Sequence, residues 1–550
     1  MLFVTWLLSP ELLLAQRVTI SGTVHDRATG ELLIGATVSD PTDRYGAITN
    51  QYGFFSVTVP SQIDTLEFSY VGYATFQLAA LNAQPSPIDI RLSPQRGLDE
   101  VVIKGKRETA GQFILPVSRI KSIPALLGEV DVLKALSLTP GVMTGGEGTA
   151  GLYVRGGTPD QNLILLDEAP VYNVMHLGGF FSVFNPNTLK SVSLYKGPFP
   201  ARYGGRLSSV IDLTMKDGNK KKMAGQVGIG LLSQNLTIEG PIIKDKASFI
   251  VSGRISTLGV TRLIRPRKSK TGFGDFPSYG FYDLNAKFNY QLSATDQFYV
   301  SLYQGDDDFR VNEWSNNDGQ RDETSVGIRW GNTTATARYS KILSDKLFAR
   351  AVLIYSRYNS GFNTDYSQYD SDEDRTDEYY SHTDSRVRDY GFKLQFDHFP
   401  KSFLSLKYGA DVTVHTFSPF RLQTNYELAG GVPPVANIVG TQVDGFVESS
   451  TTFKRFRADV GLRGSLYRVQ NSTFVYPEPR LGLNWNGPRN WSVKAGYSVM
   501  NQYVLLLTNN GLGLSFDAWV PSTSKVPPAN AQQWSLGLYK EFPKPASTSP

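Results

Sequence analysis

The chain has 550 residues, which is too long for a single hydrophobic core, so several domains are expected. Its formal net charge is only +5 and its basic residues form no clustered face, which argues against nucleic-acid binding. The sequence contains no cysteine, which excludes disulfides, thiolate metal sites and a cysteine nucleophile.

The sequence begins with an apolar stretch, MLFVTWLLSPELLLA, that ends in a small residue. This pattern predicts a signal peptide over residues 1–15, cleaved after Ala15, and therefore export; a buried segment is the alternative interpretation. No run of 18 or more apolar residues follows, so a helical membrane protein is not expected. A transmembrane β-barrel is compatible, because its apolar and polar residues alternate and average out.

Residues 17–94 contain several short strands with regular turns and no helical period. The clearest are Val18–Val24, Phe54–Val59 and Leu66–Tyr70. This arrangement is typical of a small β-sandwich.

Residues 151–217 are the most informative part of the chain. Three short apolar runs, Leu163–Leu166, Val192–Tyr195 and Val210–Leu213, are separated by Gly- and Pro-rich turns. Short strands with long irregular connections indicate a compact α+β domain.

Four short motifs follow one another in this segment. They are Val154-Arg155-Gly156-Gly157, Leu165-Leu166-Asp167-Glu168, Tyr195-Lys196-Gly197-Pro198 and Ala201-Arg202-Tyr203-Gly204-Gly205-Arg206. In this order they resemble the plug domain of TonB-dependent outer-membrane receptors. The resemblance implies a folded plug, over residues 112–217, inside a wide β-barrel that imports scarce nutrients.

Two segments before the plug fit the same resemblance. Residues 17–94, with GTVHDRATGELLIGATV, NQYGFFSVTVP and LEFSYVGY in order, are similar to the carboxypeptidase regulatory-like domain that often precedes plugs. Residues 98–105 lie where a TonB box would, and its candidate residues are Asp99, Glu100, Val101, Val102 and Ile103. Such a segment would pair as an added strand with a TonB-type energy-coupling protein; a plain edge strand is the alternative.

From residue 223 onward, apolar and polar residues alternate with a period of two. Leu284–Leu292, Tyr390–Phe396 and Leu404–Val414 show this most clearly. Strands of about ten residues with one apolar and one polar face favour a membrane barrel, because strands of soluble proteins average about half that length.

Short and long connections alternate between these strands, as they do between the periplasmic turns and extracellular loops of outer-membrane barrels. The short turns are Ser293–Gln297, Ile342–Lys346 and His398–Ser402, and the long polar loops are Thr257–Gly280, Gly305–Glu323, Arg357–Arg386 and Phe417–Gly440.

The expected fold class is mainly β: a small N-terminal β-sandwich, an α+β plug domain, and an antiparallel transmembrane β-barrel over residues 223–550. The pattern supplies about 14 strands, whereas plugged outer-membrane transporters close with about 22. The polar, Pro-rich residues 541–550 do not resemble a closing strand, so the barrel is expected to be incomplete.

The resemblance also implies a plug–barrel lock, in which plug arginines meet barrel carboxylates. Arg155 and Arg202 are the plug candidates, and Glu478 is the barrel candidate. Polar loop residues could capture a ligand, although a solvated outer surface is the alternative. The candidates for ligand capture are Asp306, Asp307, Asp308, Tyr366, Asp370, Asp372, Tyr379 and Tyr380.

Residue patterns for catalysis or metal binding are missing. The five histidines have no metal-ligand spacing, and neither H-E-x-x-H nor G-x-S-x-G occurs. The Asp-rich stretch 370–375 lacks the turn glycine and the bidentate Glu of an EF-hand. No enzyme activity, cofactor or metal is therefore expected.

The resemblance implies a TonB-dependent receptor in the Gram-negative outer membrane, with its N-terminal domain in the periplasm. It would import a scarce nutrient (an iron chelate, cobalamin, a glycan or a peptide) by energy-coupled plug movement. The expected partners are a TonB-type protein, outer-membrane lipid and a small extracellular ligand. The alternatives are a non-functional receptor fragment and a receptor-like adhesin that uses the barrel as an anchor.

Overall fold

The structure is a computed structural model of the chain. It describes residues 17–42, 44–79, 86–95, 112–123, 129–145, 151–176, 179–257, 275–317, 320–370, 373–425, 436–509 and 516–540. Among these residues, no helix has both the length and the apolar character required to cross a bilayer.

The N-terminal part consists of two small sheets packed face to face. Its strands are β1 (Arg17–Asp26), β2 (Thr37–Ser39), β3 (Gly46–Ile48), β4 (Phe54–Pro60), β5 (Thr65–Ser69), β6 (Phe76–Ala79) and β7 (Ile88–Leu92). One sheet has the order β4–β1–β7 and the other β3–β2–β5–β6. Alternate residues of β4, Phe55, Val57 and Val59, fill the core between the sheets. We call this unit the sandwich.

The next part contains two helices and several short strands. They are β8 (Gln112–Pro116), α1 (Val117–Ser122), α2 (Val132–Ser137), β9 (Val142–Thr144), β10 (Leu152–Val154), a 3-10 turn (Pro159–Gln161), β11 (Asn162–Leu166), β12 (Ala169–Pro170), β13 (Met175–His176), β14 (Phe181–Ser182), β15 (Leu189–Lys196) and β16 (Ser209–Met215). Five of them form a sheet in the order β12–β11–β16–β15–β8, with β11 and β16 parallel. Its apolar core includes Leu166, Val192 and Leu213. We call this unit the plug.

The remainder is one large antiparallel sheet with an inserted hairpin. The strands are β17 (Ala224–Ile229), β18 (Ser233–Ile243), β19 (Ala247–Ser256), β20 (Asp275–Gln291), β21 (Asp296–Asn317), β22 (Gln320–Ser344), β23 (Leu347–Asp370), β24 (Arg375–Lys401), β25 (Leu404–Thr424), β26 (Ile438–Phe453), β27 (Phe456–Val469), β28 (Ser472–Asn486), a 3-10 turn (Pro488–Asn490), β29 (Trp491–Gln502), β30 (Val504–Asn509), β31 (Phe516–Pro521) and β32 (Ala529–Lys540). Fourteen strands, β17 to β29 and β32, pair in sequence order, while β30 and β31 pair only with each other. The mainly β fold class and the expected strand number are confirmed.

The large sheet places polar residues inside and apolar residues outside. Along β20, Asp283, Asn285 and Lys287 are buried, and Asp283 and Lys287 contact the plug. Tyr282 and Leu284, which alternate with them, are exposed. This inversion of the soluble pattern is what a barrel in lipid requires, because its outer face meets hydrocarbon. The plug occupies the concave, polar side of the sheet.

Two of the predicted long loops are instead strands. Gly305–Glu323 lies mostly within β21 and β22, and Arg357–Arg386 lies mostly within β23 and β24. These four strands have 22, 25, 24 and 27 residues, whereas about 10 residues suffice to cross a bilayer. Their outer halves are polar because they project into water, yet cross-strand pairs such as Tyr366 stacked on Tyr379 continue the ladder.

Candidate functional site

The predicted TonB box, Asp99 to Ile103, and the predicted signal peptide, residues 1–15, lie outside the described residues, as does Asp372. The predicted lock residues lie on the plug and on the barrel wall. Their contacts define the first part of the candidate site.

Arg202 of the plug pairs with a barrel carboxylate other than the predicted one. Its Nη1 lies 2.6 Å from Oε1 of Glu448 on β26, and both side chains are mostly buried. The guanidinium also lies 4.8 Å from the ring centre of Tyr203 and donates to the hydroxyl of Tyr195. The plug therefore contacts the barrel wall through a charged and largely desolvated pair.

Glu478 contacts the plug indirectly, which corrects the predicted pairing. This fully buried carboxylate accepts hydrogen bonds from Arg480 at 2.8 Å and Asn501 at 3.1 Å, both on the barrel. Arg480 then donates through Nη1 to plug carbonyl oxygens, those of Phe199, Pro200 and Tyr203, at 3.1, 2.6 and 2.7 Å.

A second barrel arginine makes the same kind of contact. Arg463 pairs with Asp444 at 2.6 Å and donates to the carbonyl oxygens of Ala201 and Arg202. The irregular plug segment 198–206 leaves backbone carbonyls without strand partners, and buried carbonyls require donors. Much of the plug–barrel lock thus consists of barrel arginines that donate to plug backbone carbonyls. The predicted lock had the opposite arrangement, with plug arginines that meet barrel carboxylates.

Arg155 does not take part in these contacts. It is exposed, has a positive φ of 50°, and its side chain lies against Gly197 of the plug itself. Within the described chain it pairs with no barrel carboxylate. The predicted lock contact of Arg155 is therefore not formed among the described residues.

His176 forms a further anchor that the sequence pattern does not reveal. Its Nδ1 lies 2.8 Å from Asp307 on β21, and its Nε2 lies 3.0 Å from Asp283 on β20. Arg254 on β19 also reaches Asp283, at 2.7 Å. Burial lowers the pKa of His176, but the two carboxylates raise it, and the net pKa is about 9. The imidazolium donates from both nitrogens, so the plug carries a buried positive charge into an acidic part of the wall.

The Leu165–Glu168 motif forms a turn that supports a third anchor. Asp167 and Glu168 both have positive φ, 46° and 74°, which is the geometry of a tight turn between β11 and β12. The turn places Asp167 3.3 Å from the buried ammonium of Lys287 on β20. It also places Glu168 3.7 Å from Arg338 on β22.

The hairpin β30–β31 lies inside the barrel against the plug. Trp519 and Val504 pack against Tyr358, Val387 and Phe417 on the inner faces of β23, β24 and β25. The hairpin covers the end of the plug that lies away from the short turns. Its sequence signal is weak, because VLLLTN and FDAWVP lack the alternation of the neighbouring strands.

The plug residues under this hairpin pack with the hairpin and the barrel wall in a polar and aromatic cluster. The Tyr172 ring lies 4.9 Å from the Trp519 ring, edge on, and Arg206 lies 5.3 Å from the same tryptophan. The Tyr172 hydroxyl donates to Asp389, whose other oxygen lies 2.7 Å from Nδ1 of His415. We call the following side chains the polar cluster: Tyr172, Arg206, Asp389, His415, Tyr467, Asp517 and Trp519.

Several buried atoms of the polar cluster have no hydrogen-bond partner among the described residues. They are His415 Nε2, Tyr467 OH, Asp517 Oδ1 and Trp519 Nε1. Burial raises the pKa of Asp517 to about 6. Unpaired buried donors and acceptors are costly, and a bound polar ligand would supply hydrogen-bond partners for these four atoms.

The predicted ligand-capture residues are not brought together at the polar cluster. Asp307 faces the interior at His176, whereas its neighbours Asp306 and Asp308 alternate to the other face, where Asp306 pairs with Arg329. The remaining described candidates lie on the projecting β23–β24 hairpin: Tyr366, Asp370, Tyr379 and Tyr380.

Comparison with known proteins identifies two segments of the chain. Residues 121–210 match the model of the TonB-dependent Receptor Plug Domain, and residues 20–103 match that of the CarboxypepD_reg-like domain. The matched segments correspond to the plug and to the sandwich with the residues that follow it.

Solved structures with a similar fold include three receptors. The ferric enterobactin receptor PfeA of Pseudomonas aeruginosa is 16% identical, with a TM-score of 0.53, over 79% of this chain and 69% of that one. The siderophore receptor PirA of Acinetobacter baumannii is 14% identical, with a TM-score of 0.54, over 79% and 69%. BauA, the ferric preacinetobactin receptor of the same species, is 13% identical, with a TM-score of 0.52, over 79% and 69%. At these identities the likeness concerns the fold.

Proposed function

The chain is a TonB-dependent receptor, and we propose that it imports a scarce nutrient by energy-coupled movement of its plug. Receptors of this family are transporters of the Gram-negative outer membrane, not enzymes, and are coupled to TonB. The observation that carries the proposal is that the plug fills the polar interior of the large sheet and is bound to its wall by buried charges.

The anchors explain why transport would need an energy source. Removing one partner from a buried ion pair costs roughly 3–5 kcal/mol, because the other charge stays desolvated. The plug has such contacts at Arg202, His176 and Asp167. Thermal motion does not break several of these together, whereas a mechanical pull on the plug can break them in turn.

We place the coupling segment at Glu100–Ile103, between the sandwich and the plug. Val101, Val102 and Ile103 are β-branched, which favours an added strand. In strand addition the main-chain hydrogen bonds supply most of the affinity. Val102→Pro removes one donor and restricts φ, whereas the matched control Val102→Thr keeps the backbone intact.

Because the chain has no cysteine, a single introduced one reports coupling without knowledge of the ligand. A Val101→Cys receptor should form a disulfide with a cysteine in the periplasmic domain of TonB. Adding Val102→Pro should abolish this cross-link, and adding Val102→Thr should preserve it. Equal cross-linking in all three receptors would show that Glu100–Ile103 is not the coupling strand.

We propose that the ligand binds at the polar cluster, where unpaired polar atoms and aromatic rings surround the covered end of the plug. Ferric enterobactin and cyanocobalamin are suitable first probes, in cells that lack their own receptors for them. Uptake of either probe that stops with Val102→Pro, while surface binding continues, would support import. Surface binding without TonB-dependent uptake of any probe would favour the adhesin alternative.

A further inference from the structure

Two aromatic residues of the sandwich belong to a cluster outside its own core. Tyr52 and Phe54 are buried, yet they pack with Ile342 and Phe348 of the barrel rather than with the sandwich core. Tyr52 lies 5.2 Å from the Phe348 ring, and Phe54 lies 5.5 Å from it. Both would be exposed in an undocked sandwich, so this face of the sandwich is an interaction surface.

The turn that carries Tyr52 reaches between the plug and the barrel wall. Gln51 donates to Asp212 of the plug at 2.8 Å and lies 3.5 Å from Arg350 of the barrel. The Tyr52 ring has the Arg338 guanidinium 4.1 Å from its centre. Asn50 donates to Asp397 of β24 at 2.8 Å.

The turn that carries Tyr52 has a fixed conformation, which suits its position between the plug and the barrel wall. The Asn50 side chain accepts hydrogen bonds from the backbone N–H groups of Tyr52 and Phe54, at 2.9 and 3.1 Å. Gly53 has a φ of 66°, which suits glycine. A turn held by its own hydrogen bonds loses little further entropy on docking. We call residues 50–53 the finger.

A second contact joins the sandwich to the plug away from the finger. Glu31 lies 3.6 Å from the Lys190 ammonium and accepts a hydrogen bond from the backbone N–H of Asp217. Lys190 also pairs with Asp217 at 3.1 Å. The sandwich is therefore bound to the plug and to the wall at once.

These contacts lie at the end of the barrel that carries the short turns. Ser21 donates to Asp345, in the turn between β22 and β23, at 2.8 Å. Arg17 reaches Ser402, in the turn between β24 and β25, at 3.4 Å. In outer-membrane barrels the short turns face the periplasm.

We propose that the sandwich is a periplasmic gate: its finger closes the barrel mouth between plug and wall, and it must withdraw before a ligand can leave. This inference rests on the proposed import function. The coupling segment lies between β7 of the sandwich and β8 of the plug, so a pull on it acts on both docked units. Release of the sandwich then accompanies displacement of the plug.

The first test measures closure and needs no ligand. Ser340 is a buried residue of the inner wall that lines a cavity of about 30 Å³ together with Tyr52. A Ser340→Cys receptor carries a unique thiol there, which can be labelled with a membrane-impermeant maleimide in outer-membrane fragments. Adding Tyr52→Ala should raise the labelling rate by at least about tenfold, which corresponds to about 1.4 kcal/mol of lost docking free energy.

Two matched variants control for folding. Tyr52→Phe keeps the ring between Phe348 and Arg338 and should leave the thiol protected. Phe76→Ala removes an exposed aromatic ring from the sandwich's other sheet and should also leave it protected. Equal labelling rates for the Tyr52→Ala receptor and these two controls would overturn the gate proposal.

The second test measures whether the sandwich must move. A receptor with Arg17→Cys and Ser402→Cys can be joined by a short thiol crosslinker at this exposed rim contact. Crosslinking should abolish uptake of ferric enterobactin or cyanocobalamin and leave surface binding intact, and cleaving a reducible linker should restore uptake. Undiminished uptake by the crosslinked receptor would overturn the proposal. If the unlinked receptor takes up neither probe, the import proposal fails by itself, and the labelling rates still decide whether the finger closes the mouth.

Discussion

His176 offers a direct test of how the plug is held. His176→Gln removes the positive charge between Asp283 and Asp307 while keeping a side chain of similar reach. The wild-type pKa of about 9 compares with an ordinary value of 6.5. A rise of about 2.5 in pKa corresponds to about 3 kcal/mol of stabilisation by the protonated ring.

The sign of the pH dependence follows from the direction of the shift. Because the folded pKa lies above the unfolded value, the stabilisation is fully present below about pH 6.5 and is lost as the pH rises through about 9. The wild-type plug should therefore lose about 3 kcal/mol of stability between these two values. His176→Gln should be less stable at pH 6.5 and nearly flat across the same window.

Hydrogen exchange of residues 175–182 in detergent-solubilised receptor, corrected for intrinsic exchange, measures this opening free energy. His25 of the sandwich is a matched control, because burial lowers its pKa to about 4 although Asp89 partly opposes the shift. His25→Gln should leave the pH dependence between 6.5 and 9 unchanged. A wild-type plug with constant protection across this window would refute the assignment of a charged His176.

Three further variants test the other contacts by calorimetry and binding. Glu448→Gln leaves Arg202 without its carboxylate and should lower plug stability by about 3 kcal/mol; an unchanged plug transition would contradict the anchor. Arg480→Lys keeps a charge beside Glu478 but cannot reproduce the planar contact with three plug carbonyls. Plug stability should therefore fall by about 1–2 kcal/mol, and wild-type stability would contradict this contact. Trp519→Phe keeps the packing but removes the unpaired Nε1 donor. The plug transition should stay unchanged, whereas the affinity for any probe that binds should fall; wild-type affinity would place this N–H outside the ligand site.

The sequence by itself determined the fold class, because the signals for it are local. Period-two alternation predicts strands with one lipid face, and it does so from adjacent residues. Strand number followed from the same pattern.

The sequence did not determine where the strands end, because polar residues occur both in loops and in strands that project into water. Gly305–Glu323 and Arg357–Arg386 have loop-like compositions, but their ladders continue because each strand has a partner of equal length. The alternation that predicts a strand inside the membrane does not specify how far pairing continues beyond it.

Only the tertiary structure decided which charges meet. Glu448 rather than Glu478 faces Arg202, and Asp307, which shares its acidic run with two outward-facing neighbours, faces His176. Each of these pairs spans more than a hundred residues, and its geometry depends on the register of many strands and on the depth of the plug within them. Docking of the finger is of the same kind: Asn50, Gln51 and Tyr52 read as an ordinary turn in sequence, and their contacts exist because the folded barrel places Asp397, Arg350 and Phe348 around them.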